Sequence, residues 1–274
     1  YRPTLINLGR WRYLAGAALA SYSFILLVLP FLIILWASVL PYYMQPGLEG
    51  LTKLTPKNYV TALHFPTITD KNKNSVMLGL GSASFVMCLT LLASWLLVRT
   101  KIRGRWMLVL MTTLPLLFPG IVMGLAILRF YLVVPIPIYG TLWILLIAFV
   151  TRYIPYGIRY THAGLLQLHR ELEDAAYASG ASWSNCMRRI VLPLLTPSFF
   201  GGWVFVFLLS AKELSMSVLL VSPRTPVVSV AIYELWDNAQ VGELAAFGVV
   251  WSLILLTVAI SYYLFARRYG VQMQ

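Results

Sequence analysis

Charged side chains stand inside stretches that are otherwise apolar, and they set the chemistry this chain could carry. Lys212 and Glu213 interrupt an apolar run between Phe207 and Leu220, with Ser210 and Ser215 beside them, and Arg129 and Arg152 interrupt two other runs. A charge facing lipid at the middle of a bilayer costs about 2.5–3.5 kcal/mol or more, so such groups should face a protein interior or a water-filled path. Successive residues on a helix point about 100° apart, so Lys212 and Glu213 need not pair, and Arg129 and Arg152 are alternative partners for Glu213. Two readings stand for this group: a buried structural charge network, or the lining and gate of a path for a polar solute.

Other chemistries are poorly supplied. Gly79-Leu80-Gly81-Ser82 puts a serine in an apolar run, as an intramembrane hydrolase would. Its base would have to be a histidine inside the membrane, and His64, His162 and His169 all fall in or near loops. Those histidines also lack a spacing that holds a metal. Cys88 sits in an apolar stretch and Cys186 in a polar one, so both read as structural thiols. No G-x-x-x-x-G-K-[ST] run occurs, so an energy source, if one is needed, must belong to a partner.

The elements that position these residues follow from composition. The chain is 59% hydrophobic and 11% charged, with mean hydropathy +0.78, whereas soluble domains carry roughly 25% charge. Runs near the length of about 20 apolar residues that spans a bilayer lie at 13–40, 76–98, 107–134, 142–158, 198–221 and 244–265. Six helices are expected, in an all-α membrane protein. Pro115, Pro119 and Pro155 should break them, as helices lining transport paths are often broken.

The net charge of +12 does not gather on one segment, which argues against nucleic acid. Instead the basic residues sort by side. With the N-terminus inside, Arg2, Arg10, Arg12, Arg99, Lys101, Arg103, Arg105, Arg159, Arg170, Arg188, Arg189, Arg267 and Arg268 are cytoplasmic, against Lys53, Lys57, Lys71, Lys73 and Arg224 outside. That asymmetry puts both termini and the polar segment 165–193 in the cytoplasm. Outside, Thr55 and Pro56 begin a short helix through Leu63, and the loops 41–74 and 222–243 are either simply solvated or a surface for a soluble partner.

Segment 165–193 is the most informative stretch. Leu165, Leu168, Leu172, Ala175 and Ser179 recur at three- and four-residue steps, giving one helix face that is apolar or small, with Glu171, Glu173 and Asp174 in polar surroundings beside it. Gly180 suits a left-handed position after that helix, and Ser182 or Ser184 can cap a second one reaching Pro193. A helix-turn-helix on the membrane surface results. Asp174-Ala175-Ala176, then Gly180 after three residues, then Ile190-Val191-Leu192-Pro193 nine residues later, closely resembles the EAA signature of type I ABC importer permeases, with Asp174 where that family usually has Glu.

LGRWRY at 8–13, SVLPYY at 38–43, IPIYGTLWILLIAFVTRYIPYGIR at 136–159 and KELSMSVLLVSP at 212–223 further resemble the second half of tandem-fused iron(III)-type permeases. Tyr1 is not Met, and the chain is expected to be cut from something longer. The resemblance implies a MetI-like six-helix domain that binds no cofactor itself. Its partners would be a dimer of ATPase subunits holding ATP and Mg, a second transmembrane half, a substrate-binding protein and the lipid bilayer. Glu171, Glu173, Asp174, Ala175, Ala176, Gly180, Ser182, Ile190, Leu192 and Pro193 would couple to the ATPases, and Lys212, Glu213, Ser210, Ser215, Arg129 and Arg152 would line the path or gate. Ferric iron is the implied cargo, with phosphonates, polyamines and thiosulfate as alternatives. A passive channel also fits hydropathy, but a channel needs no coupling segment.

Overall fold

The computed structural model describes residues 8–64 and 68–268; Tyr1, Arg2 and the side chain of Arg268 lie outside that description. Among the described residues there is no strand. Five helices are long and apolar enough to cross a membrane, and a sixth crossing forms if one sharply bent pair counts as a single span. The chain divides into two compact units, residues 1–65 with 235–253 and residues 66–234 with 254–274.

In the first unit the opening helix runs from Trp11 to Ser38. It passes through a π-helical turn at Phe24–Val28 directly before Leu29-Pro30. A proline within a helix has no amide to give and crowds the carbonyl four residues back. Here the Leu29 amide bonds instead to the Phe24 carbonyl, five residues back, which widens the turn ahead of the proline ring. The loop that follows is tied down by Asn58, buried, whose amide donates to the Ser38 and Leu40 carbonyls at 3.0 and 2.6 Å. The short helix there is Lys57–Leu63, with the Thr55 hydroxyl accepting the Lys57 amide at 3.3 Å.

The second unit is built on three packed helices, Ile68–Arg99, Leu142–Gln167 and Trp183–Ala211. Their shared core holds Leu78, Ala83, Val86, Ile144, Leu145, Phe149, Val206 and Phe207. Glycines bring the backbones close: a Cβ on Gly157 would lie 2.6 Å from Val86 and 2.9 Å from Thr90, and one on Gly164 2.8 Å from Ser198. At the same interface the Ser94 and Thr161 hydroxyls share a hydrogen bond of 2.7 Å, so their polar groups are satisfied inside the bundle.

Several expected boundaries are corrected. The fourth helix continues past residue 158 to Gln167, because the polar residues beyond the apolar run find partners on its neighbours. Pro155 lies inside that helix without breaking it. Pro115 and Pro119 do break the third span, into Arg105–Leu116 and Gly120–Val133, which meet at 109°. The fifth span begins at Trp183 and ends at Ala211, so Lys212 and Glu213 follow a helix end and are not mid-helix residues.

The close approach at Gly157 should be sensitive to size. Gly157→Val meets two β-branched side chains that cannot swing away, and overpacking of this kind costs about 1–3 kcal/mol. A lowered melting temperature of the purified transporter in detergent is expected, while Gly248→Ala, where a Cβ meets nothing within 4 Å, leaves it unchanged or raises it.

Candidate functional site

Two groups of side chains stand out, one at the polar segment and one where two spans are interrupted. In the polar segment a short helix, Glu171–Ala178, ends in a Schellman turn. The Ala181 amide donates to the Ala176 carbonyl at 3.0 Å and the Gly180 amide to the Tyr177 carbonyl at 2.9 Å, with Gly180 at φ +80°. Ser182 then caps the next helix, its hydroxyl accepting the Asn185 amide at 3.4 Å. The expected turn at Gly180 is therefore present, and of the two expected caps, Ser182 and Ser184, it is Ser182 that caps.

Other parts of that reading change. Helix Leu142–Gln167 stops before Glu171–Ala178 starts, so the periodic face drawn from Leu165 to Ser179 crosses a break. Leu165 is fully buried against Cys186, Val191 and Leu195, whereas Leu172 is exposed. Pro193 does not end the second helix, which runs on to Ala211. A π-helical turn at Met187–Val191 precedes Leu192-Pro193, repeating the device at Pro30, with the Leu192 amide reaching the Met187 carbonyl. Ile190 packs against the small core, and Leu192 and Pro193 are exposed.

The three acidic residues separate by role. Glu171 and Asp174 are exposed, and Asp174 sits 3.9 Å from the equally exposed Arg170. Glu173 is buried and faces inward, where the Arg99 guanidinium at the end of Ile68–Arg99 donates to it at 2.7 Å. Arg99 also donates to the Leu168 and Leu165 carbonyls, at 2.9 and 3.4 Å, at the end of Leu142–Gln167. One side chain thus joins the second span, the fourth span and the surface helix. The sequence marked Arg99 only as one of many cytoplasmic charges. Outward, the segment presents Glu171, Asp174, Ala175, Gly180 and Ser182, with Ala176 half-buried behind them. Desolvation, and then the Cys186 thiol, raise the pKa of the Tyr177 phenol at this surface.

At the interrupted spans, Glu213 pairs with neither Arg129 nor Arg152. Its carboxyl accepts hydrogen bonds from the Tyr153 hydroxyl and, at 3.2 Å, from the Met216 amide. Its carbonyl accepts from the Ser217 and Ser229 hydroxyls at 2.6 and 2.7 Å. Arg152 instead donates to the Pro115 and Phe118 carbonyls at 3.0 and 2.7 Å, which the break in the third span leaves without helical amides. Arg129 and Lys212 are exposed and make no ion pair among the described residues. Ser210 is buried and accepts from Ser82 at 2.7 Å, and Ser215 is exposed against Gly120. Among the described residues Ser82 finds Ser210 and the Leu78 and Gly79 carbonyls, none of them a base that could activate it. Tyr153 and Ser229 escaped sequence reading, since a tyrosine beside an arginine in an apolar run carries no signal of its own.

These features define a multi-pass helical membrane protein with an outward-facing surface helix-turn-helix. Residues 87–271 match the model of the binding-protein-dependent transport system inner membrane component, and the chain belongs to that family. It is an inner-membrane permease of the type I ABC importer class. A Salmonella paratyphi A permease protein assigned to 2-aminoethylphosphonate transport, PhnV, is 27% identical over 93% of this chain and 96% of its own length. The spermidine/putrescine permease PotC of Escherichia coli K12 is 25% identical over 78% of this chain and 80% of its own. Among solved structures, a bacterial ABC transporter that imports alginate superposes with TM-score 0.70 at 17% identity, over 94% of this chain and 96% of that one. The MetNI methionine transporter gives 0.61 at 16% identity, over 73% and 95%. Both share the fold.

The burial difference between neighbouring acids makes a sharp contrast. Glu173→Ala strands a buried guanidinium and should destabilise the protein by about 3–5 kcal/mol, whereas Asp174→Ala removes an exposed pair worth about 0–1 kcal/mol. Thermal unfolding of the two variants should differ accordingly, and equal effects would contradict the inward placement of Glu173.

Proposed function

We propose that segment 165–193 is the surface through which partner ATPases drive this permease, and that the interruptions near Pro119 and Glu213 line the path of its solute. The observation that carries the reading is the division of labour in the segment. Its back is fastened to the spans by Arg99, Glu173 and the buried Leu165, Cys186, Val191 and Leu195, while Glu171, Asp174, Ala175, Gly180 and Ser182 face outward. A docking surface needs both properties: exposed groups for recognition and a stiff backing for force. Asp174 offers a carboxylate to a basic group on the ATPase. Ile190, Leu192 and Pro193 shape the far end of the same surface.

In this mechanism two ATPase subunits close around ATP and Mg, the docked segment moves with them, and the spans turn between inward and outward access. A second transmembrane half completes the path, and a substrate-binding protein delivers the solute at the opposite face. The basic residues bordering segment 165–193 support its cytoplasmic side.

The cargo is a small solute. PhnV and PotC, assigned to 2-aminoethylphosphonate and to spermidine and putrescine, favour a small organic amine. Ferric iron is the second reading, resting on the runs at 136–159 and 212–223. Loaded binding proteins of each kind, presented to the complete transporter in proteoliposomes, separate the two by which one stimulates ATP hydrolysis and solute entry. In the same assay Asp174→Lys replaces attraction by repulsion. Gly180→Val forces a β-branched residue to φ +80° at about 1–3 kcal/mol, although no neighbour obstructs it. Both variants should lose stimulation and retain fewer ATPase subunits. Full stimulation and retention in both would sink the coupling role.

A further inference from the structure

We infer that Tyr153 is a positioning residue: its hydroxyl holds the end of the fifth span and the turn that follows it, and with them the contact between Gly120 of the broken third span and Ser215. This rests on the reading of those breaks as the solute path. Tyr153 is buried, and its ring is held between Phe149 and Tyr156 with centroids at 6.3 and 6.1 Å. The hydroxyl therefore has little freedom in where it points. It meets the Glu213 carboxyl and the Leu209 carbonyl, the latter at 3.2 Å.

The Leu209 carbonyl needs such a partner. In a continuing α-helix it would accept the Glu213 amide, but that amide turns to the Ser210 carbonyl at 3.2 Å as the helix closes. An unpartnered carbonyl inside a membrane costs several kcal/mol, so a donor from a neighbouring helix fixes where the break can occur. The same hydroxyl anchors the Glu213 side chain, which in turn accepts the Met216 amide and starts the next turn.

The third span leans on this ordered turn. Gly120, the first residue after the break, packs tightly on that turn: a Cβ there would lie 3.0 Å from the Ser215 Cβ and 3.7 Å from the Glu213 carboxyl, so it fits once the neighbour gives by a few tenths of an ångström. One turn on, a Cβ at Gly124 would lie 3.1 Å from the Met216 Cα. The other side of the third-span break is held by Arg152, next to Tyr153 on the same unbroken helix. Two adjacent residues therefore set both interruptions from one support. Without the hydroxyl, the Glu213 carboxyl keeps the Met216 amide but loses its anchor on the neighbouring helix, and the Leu209 carbonyl loses its side-chain donor; Ser217 and Ser229 still hold the Glu213 carbonyl, so the turn stays formed while the carboxyl end of it, and the Gly120 contact, loosen.

Disulfide formation between cysteines at the two contact positions reports this directly. Their Cβ separation, 3.0 Å, is under the roughly 3.5–4.5 Å of a disulfide, so moving apart by about half an ångström admits the bond. The complete transporter carrying Gly120→Cys and Ser215→Cys, in a background of Cys88→Ser and Cys186→Ser, should cross-link rapidly under mild oxidation in nanodiscs. Adding Tyr153→Phe should slow cross-linking about tenfold, the scale of one lost hydrogen bond to a carboxyl group. Glu213→Gln tests the same link from the other side, and combining it with Tyr153→Phe should add less than the sum of the two. If the ring alone mattered, Tyr153→Phe would cross-link at the parent rate, and that result overturns the proposal, as does absence of cross-linking in the parent pair. Solute uptake without the cysteine pair separates the premise: slowed cross-linking with normal uptake by Tyr153→Phe keeps the positioning role and rejects the path.

Discussion

A backbone group inside a bilayer has no water to turn to, and that constraint shapes the second unit of this chain. Each interrupted span exposes carbonyls that a continuous helix would satisfy, and each must borrow donors from elsewhere. The lender is a neighbouring helix that stays whole, Leu142–Gln167. Arg152 serves the Pro115 and Phe118 carbonyls and Tyr153 serves Leu209, so the irregular backbone is placed by a regular neighbour. Ser217 and Ser229 complete the arrangement by satisfying the Glu213 carbonyl.

The same helix carries the polar segment at its other end. Leu165 sits in the small core with Cys186, Val191 and Leu195, and the Leu165 and Leu168 carbonyls accept from Arg99 while that guanidinium holds Glu173. From Arg152 to Leu165 is 13 residues, or about 20 Å of helix at 1.5 Å per residue. The surface helix Glu171–Ala178 and the residues that hold the interruptions are thus joined through one continuous helix and the close-packed core at its end. The two π-helical turns fit this picture, since each lets a helix pass a Leu-Pro pair without breaking.

Much of this was legible in the sequence, for identifiable reasons. Long apolar runs must be helices in lipid, so the spans were found. Gly180 and Ser182 act through local backbone chemistry, so their turn and cap were found as well. What failed depended on partners far along the chain. Pro155 and Pro193 looked like helix breakers, yet neighbouring packing and a π-helical turn carry the chain through both. No glycine or proline announces the break at Lys212, because distant Tyr153 and Ser229 help to fix it. Glu173 and Asp174 are adjacent and chemically alike, and only the reach of Arg99 from residues away in sequence separates the buried one from the exposed one. Glu213 likewise took a phenol where charge alone suggested an arginine.

The central claim is that the surface helix and the end of Leu142–Gln167 move as one body because Arg99 clasps both. Spin labels on two exposed residues, Leu166 and Ala178, in the complete transporter would measure it by pulsed electron resonance. The account predicts one narrow distance distribution that stays in place whether the ATPase subunits are empty or hold ATP. A distance that shifts or splits when ATP binds would contradict it.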